Sequence, residues 1–241
     1  MDKFPKPITK GCVKKIFEQM NYSIYKLNGK EDNYTNCIFT FIKYENKKIP
    51  VAIINNTKEY KDKLNISINN ENKIIELSHT KYKSKKYGIT IIEITENKNN
   101  KKLNYIEIDE GIYNEELLQM NYSEESIYII QYNKKENLIT NGLIKNIDNF
   151  EMRYSGNILQ DKKGSPIFNL SNNKLIGIHE NVSTYYNKGI FLKYIINKFI
   201  NKYKYKYKSI RYKYNNIINN EIDIDLKIEK ETINKKIYFL D

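Results

Sequence analysis

Short apolar runs separated by lysine- and asparagine-rich breaks set the pattern of the chain. Near the N-terminus, VKKIFEQM (13–20) places Val13, Ile16, Phe17 and Met20 at i, i+3, i+4 and i+7, which predicts one face of a short helix. The runs SIYKL (23–27), NCIFTFIKY (36–44), KIPVAIINN (48–56) and LNISI (64–68) are rich in isoleucine, valine and aromatic residues and predict strands. Asn-Lys, Glu-Asn and Asn-Gly clusters between them supply the chemistry of hairpin turns. Residues 69–86 read as a polar loop, YGITIIEI (87–94) as a further strand, and TENKNNKKLN (95–104) as a connector between two halves.

The second half repeats the style. SIYIIQY (126–132), NLITNGLIKNI (137–147), GSPIFNL (164–170) and KLIGIHE (174–180) predict strands, whereas FLKYIINKFI (191–200) spaces Leu192, Ile195, Ile196 and Phe199 as a helix face. Many short strands in two groups, closed by a helix, predict an all-β fold of two packed antiparallel barrels, although alternation alone is also compatible with a sandwich or a mixed fold.

The C-terminal stretch differs. In KYKYKYKSIRYKY, which starts at 202, Tyr203, Tyr205 and Tyr207 would share one strand face with lysines on the other. Two readings follow: a stacking platform beside a cationic stripe for nucleic acid, or an edge strand or linker with its lysines in water. Beyond it, residues 221–241 alternate through Ile222, Ile224, Leu226 and Ile228, as a hairpin or the start of a small β module would. The expected organisation is therefore a double-barrel domain over 1–200 and a basic, tyrosine-rich linker with a β-hairpin or small β module over 201–241.

Composition changes this picture little. The chain has 241 residues, enough for one large domain with an appendage, and a formal net charge of +12. That charge favours acidic partners such as nucleic acid or an anionic surface. Lysine, asparagine, isoleucine and tyrosine are over-used together, however, and such a bias spreads lysines over every solvated face without selecting a ligand. The basic start, MDKFPKPITK, lacks an apolar core and so predicts no secretory signal, and no run has the length of a membrane helix. Two cysteines, Cys12 and Cys37, are too few for a disulfide framework. An intracellular, cytoplasmic setting is the default expectation. Two histidines without a carboxylate or cysteine cluster predict no metal site, and no glycine-rich phosphate loop predicts a cofactor.

The run DKKGSPIFNLSNNKLIGIHE (161–180) resembles the nucleophile region of trypsin-like serine peptidases, in which Gly-X-Ser-Gly-Ser-Pro precedes a strand, a turn and a Gly-Ile-His strand. PVAIINNT (50–57) resembles the strand that ends in that family's catalytic histidine, and YGITIIEI (87–94) the segment carrying its aspartate. SIYIIQY with GLI (142–144), and KGIFLKYII (188–196), resemble the start of the second barrel and the return to the final helix. The likeness spans residues 10–200 and implies two six-stranded barrels of trypsin-like type, with short N- and C-terminal helices.

The departures fall on the chemistry. Thr57 stands at the histidine position, Gly88 at the aspartate position, Lys163 at the nucleophilic serine and Asp161 at the oxyanion glycine. A serine hydroxyl needs a base to take its proton, and an imidazole does so because its pKa lies near operating pH and a carboxylate fixes its tautomer. Threonine is no base near neutrality, glycine orients nothing, and a carboxylate at 161 repels the charge of a tetrahedral intermediate. Loss of a working triad removes about six orders of magnitude in turnover in a model protease. The resemblance therefore implies a catalytically inactive homologue that binds a protein or an extended peptide. His179 and Gly177, on the strand beside the family's substrate channel, are the cleft-binding candidates. Displaced chemistry through Ser165, Cys37 or the loop residue His79 is the enzymatic alternative, and the basic tail the nucleic-acid alternative.

Overall fold

The computed structural model describes residues 4–27, 35–55, 59–68, 71–95, 103–132, 137–158, 163–183 and 185–204. A compact unit spans Met1–Ile200. It opens with helix α1 (Lys10–Tyr22) and continues through β1 (Ile24–Leu27), β2 (Thr35–Tyr44), β3 (Lys47–Ile54), β4 (Lys63–Ile68), β5 (Glu71–Ser84) and β6 (Ile89–Ile94). These six strands close as an antiparallel barrel in the order β1-β2-β3-β6-β5-β4. After the connector come a 3-10 turn (Glu110–Tyr113), the short helix α2 (Leu118–Tyr122), and β7 (Ser126–Tyr132), β8 (Asn137–Asp148), β9 (Glu151–Ser155), β10 (Pro166–Asn169), β11 (Leu175–Val182) and β12 (Asn187–Phe191). They close a second barrel in the order β10-β11-β12-β9-β8-β7. Helix α3 begins at Leu192 and is described to Lys204. The expected all-β architecture, two six-stranded barrels with short terminal helices, is the observed one.

Full closure removes the free edges that short strands would otherwise expose. Each barrel then fills its interior with the inward residues of its alternating strands. In the first, Tyr25, Phe39, Ala52, Ile54, Leu64, Ile66, Ile75 and Ile92 form one buried cluster, with Tyr25 edge-on to Phe39. In the second, Tyr128 stacks on Phe168, and Tyr154, Met152, Ile167 and Phe191 are buried. Each such side chain contributes about 1.5–3 kcal/mol on leaving water.

Three sequence expectations need correction. The polar loop over 69–86 is largely the strand β5, which runs through to Ser84 and carries His79, whose side chain is exposed. Only Ile75, Leu77, Thr80 and Ser84 of β5 are buried, so a solvated strand reads as polar. The predicted helix at 13–20 is real, but α1 buries Ile16, Gln19 and Met20 and leaves Val13 and Phe17 out. Gln19 rotates the helix: its amide donates to the Asn173 carbonyl and its oxygen accepts from the Tyr128 hydroxyl. The tract starting at 202 does not begin as a strand, because 202–204 continue α3. The remaining expectations for 205–241 lie outside the described residues.

The connector between the barrels runs on past residue 104 to Asp109, and its described part, 103–109, is pinned to both barrels. Ile106 donates its N–H to the Phe39 carbonyl at 2.8 Å, and Thr40 bonds the Ile106 carbonyl. Asp109 donates to Leu175, and Leu175 to Glu107, each at 2.9 Å. The Asp109 carboxylate then accepts from Asn169 and Asn172 and from the Gly111 N–H. The segment thus lies on β2 of the first barrel and on β11 of the second.

Candidate functional site

The ends of three segments meet at the seam between the barrels. Asn55 follows the last residue of β3, Gly88 precedes β6, and the turn Lys163-Gly164-Ser165 leads into β10. Pairing of β3 with β6, through Ile54 and Thr90, brings the first two to the same rim. The second barrel supplies the turn.

The side chain of Asn55 is the centre of the arrangement. Its Nδ2 donates to the Lys163 carbonyl, and its body fills the space beside Gly164. A Cβ at Gly164 would lie 1.8 Å from Asn55 Cγ and 2.1 Å from Asn55 Cβ, and the residue adopts φ +88°. Both conditions select glycine. At Gly88, also in the left-handed region at φ +67°, a Cβ would lie 3.9 Å from Asn55 Oδ1 and 4.0 Å from Lys163 Cε, ordinary contact distances. The stem of Lys163 therefore passes beside Gly88. Of the degenerate positions read from the sequence, 88 and 163 come together. Thr57 and Asp161 lie outside the described residues.

Beneath the turn, Gly164 donates its N–H to the His179 carbonyl, and His179 donates its own to Ser165, each at 2.8 Å. Ser165 is buried. His179, on β11, is 1% exposed, and its Nδ1 lies 2.6 Å from the Tyr154 hydroxyl. Burial pushes its pKa down to about 4, with a hydrogen bond to the Lys188 backbone acting upward and the Lys163 charge downward. One hydrogen bond therefore joins Nδ1 of the neutral ring to the Tyr154 hydroxyl. Burial also holds the Tyr154 hydroxyl well above its ordinary range. Gly177 marks a close strand approach: a Cβ there would lie 2.5 Å from the Ile190 carbonyl oxygen and 2.7 Å from Met152 Cε. Both cleft-binding candidates thus face the interior in this structure.

Beside the site, Lys86 pairs with Glu151 at 3.0 Å and lies over the Tyr87 ring, while the Tyr87 hydroxyl donates to the same carboxylate at 3.4 Å. This joins the β5–β6 turn to β9 and, led by the Lys86 hydrogen bond, lowers the Glu151 pKa. Tyr194 packs edge-on to Tyr87 and tilted against Phe150 behind it. Cys37, fully buried in the first barrel, has its thiol pushed well above the ordinary range.

The residue that sequence reading missed is Asn55. It stood inside the quoted PVAIINNT run as one of two adjacent asparagines, and nothing in the pattern distinguished it. No sequence signal marks it, because its partner, the Lys163-Gly164 turn, lies more than a hundred residues away.

No family model and no curated protein sequence matches the chain. Among solved structures, the crystal structure of Deg5 is similar over 78% of this chain and 92% of that one, at 12% identity and a TM-score of 0.53. A likeness at that identity establishes the fold, the trypsin-like double barrel. Among the described residues no group of three His, Cys, Asp or Glu is placed to hold a metal ion, and no helix is long and apolar enough to cross a membrane.

Proposed function

We propose that the protein is a catalytically inactive homologue of trypsin-like peptidases that acts as an intracellular protein- or peptide-binding scaffold. The observation that carries this reading is the meeting of Asn55, Gly88 and Lys163 at the seam of a double barrel. In a working peptidase this seam joins an imidazole, a carboxylate and a hydroxyl. Among the described residues it holds the Asn55 amide, Gly88 without a side chain and the Lys163 stem, and the sequence puts Thr57 at the histidine position. None of these takes a proton from a nucleophile near neutral pH. The alternative nucleophiles are no better placed. Ser165 and Cys37 are buried, burial disfavours the Cys37 thiolate, His79 is exposed on β5, and the Nδ1 of His179 is engaged by Tyr154.

Two measurements on the full chain test this. A fluorophosphonate probe and a diverse peptide pool are expected to give no labelling and no cleavage, whereas a displayed peptide library is expected to yield ligands that bind without being cut. Turnover abolished by a single substitution at Ser165, Cys37 or His79 would overturn the inactive reading. A library that yields no ligand would overturn the binding reading.

A further inference from the structure

A groove of about 380 Å³ opens between the connector and the β2–β3 hairpin, far from the seam just described. Lys48 on its rim and Asn55 at the seam are seven residues apart along β3, about 23 Å at the rise of a strand. The connector creates the groove: it follows β2 only as far as the Ile106 bonds require, then turns toward the second barrel.

Its lining has three parts. Ile106 and Ile108 are buried beneath it. Phe41 and Tyr105 form an aromatic wall, stacked with ring centroids 4.1 Å apart and planes 26° from parallel, and Phe41 remains 37% exposed. The rim is charged. Lys43 pairs with Glu110, and Lys174 with Glu107 at 3.1 Å. Lys48 sits directly opposite Lys43 in the β2–β3 ladder and has no ion-pair partner among the described residues. Like charges opposed across a ladder are unfavourable. Glu110 relieves Lys43 and leaves Lys48 uncompensated. Three lysines and two glutamates thus leave one positive charge beside a half-open aromatic stack.

This combination selects a ligand class. The volume falls in the range of small-molecule sites, which join an apolar lining to a few convergent polar groups. A polyanion such as a nucleotide would set its further charges against Glu107 and Glu110. A flat ring with one carboxylate uses the stack for its body and Lys48 for its charge. We propose that this groove binds an aromatic carboxylate, free or as the C-terminal residue of a peptide, with its ring against Phe41 and Tyr105 and its carboxylate at Lys48.

Ligand-observed NMR on the full chain tests this with phenylacetate, 2-phenylethanol, and N-acetyl-Gly-Gly-Phe as acid and as amide. Phenylacetate is expected to bind saturably, about two- to fivefold tighter than the alcohol, the scale of an exposed ion pair. Lys48→Gln is expected to erase that preference without changing the circular dichroism spectrum. Phe41→Ser is expected to weaken acid and alcohol alike. A peptide acid that outbinds phenylacetate, with its amide left behind, assigns the chain end as the source; the reverse order assigns the free acid. Absence of saturable phenylacetate binding, equal affinity for acid and alcohol, or an unchanged preference in Lys48→Gln would each overturn the proposal.

Discussion

Gly164 and Gly88 both lie beside Asn55, both have positive φ, and they differ in what surrounds them. On the second-barrel side, the space of a Cβ at Gly164 is already occupied by the Asn55 side chain. On the first-barrel side, the space at Gly88 is open to a side chain. The first glycine is thus fixed by packing and backbone together, the second by backbone alone. The seam is therefore tight on one wall and slack on the other.

The sharpest way to break this comparison is Gly164→Ala. The new methyl would sit well inside van der Waals contact of Asn55, at a φ that L side chains rarely adopt. Overpacking and backbone strain each cost about 1–3 kcal/mol, so a loss of about 3 kcal/mol or more in denaturant unfolding is expected. Adding Asn55→Ala should recover the steric part and leave the strain. A Gly164→Ala protein as stable as the parent would show that this wall is not packed as described.

The tight wall continues inward, and acid probes it. The Gly164 N–H is held by the carbonyl of His179, whose ring is buried and bonded to Tyr154. The pKa of that ring falls from 6.5 to about 4 on folding, so between those values the unfolded chain binds more protons than the folded one. The contribution is therefore fully present above pH 6.5, declines as pH falls through the window, and levels off below about 4. At about 1.36 kcal/mol per pKa unit the full decline is about 3 kcal/mol. Unfolding curves from pH 7 to 4, for the parent and for His179→Gln, isolate this loss because the surface carboxylates titrate alike in both. Identical pH profiles would mean that the imidazole is not shielded by the second barrel.

Much of this architecture is legible in the sequence, and the failures have physical causes. β2, β3, β7 and β11 are buried on most positions and read as apolar runs. β5 buries only Ile75, Leu77, Thr80 and Ser84, and a register shift between Leu77 and Lys81 moves the buried positions from odd to even numbers, so no unbroken two-residue period marks it in a chain where lysine and asparagine are used everywhere. β9 buries only Met152 and Tyr154, an alternation too short to register. The α1 face was misread because Gln19, a polar residue, takes a buried position through two hydrogen bonds that no periodicity records. At the seam, Gly88 and Lys163 were found because the order of motifs along the chain carries them. Asn55 was not, because its role is set by a partner more than a hundred residues away. The groove at Lys48 has the same origin: its cation belongs to the β2–β3 hairpin, and its ring Tyr105 to the connector.

The slack wall gives the smallest effect and the finest test. In Gly88→Asp, a Cβ would meet Asn55 and Lys163 at ordinary contact distance, so no steric loss is expected. The left-handed backbone costs about 1 kcal/mol, and aspartate tolerates it better than most residues. The new carboxylate would stand near the Lys163 stem, and an ion pair there returns about 0.2–1 kcal/mol. The expected net change is within about 1 kcal/mol of zero, and smaller than that of Gly88→Ala, which has the same backbone cost with nothing returned. Because the difference between the two variants is electrostatic, it should shrink between 0.05 and 1 M salt and vanish when Lys163→Gln is combined with either. If Gly88→Asp instead costs as much as Gly164→Ala, or if salt leaves the two Gly88 variants equally far apart, then Lys163 does not lie beside Gly88 and the two walls are alike.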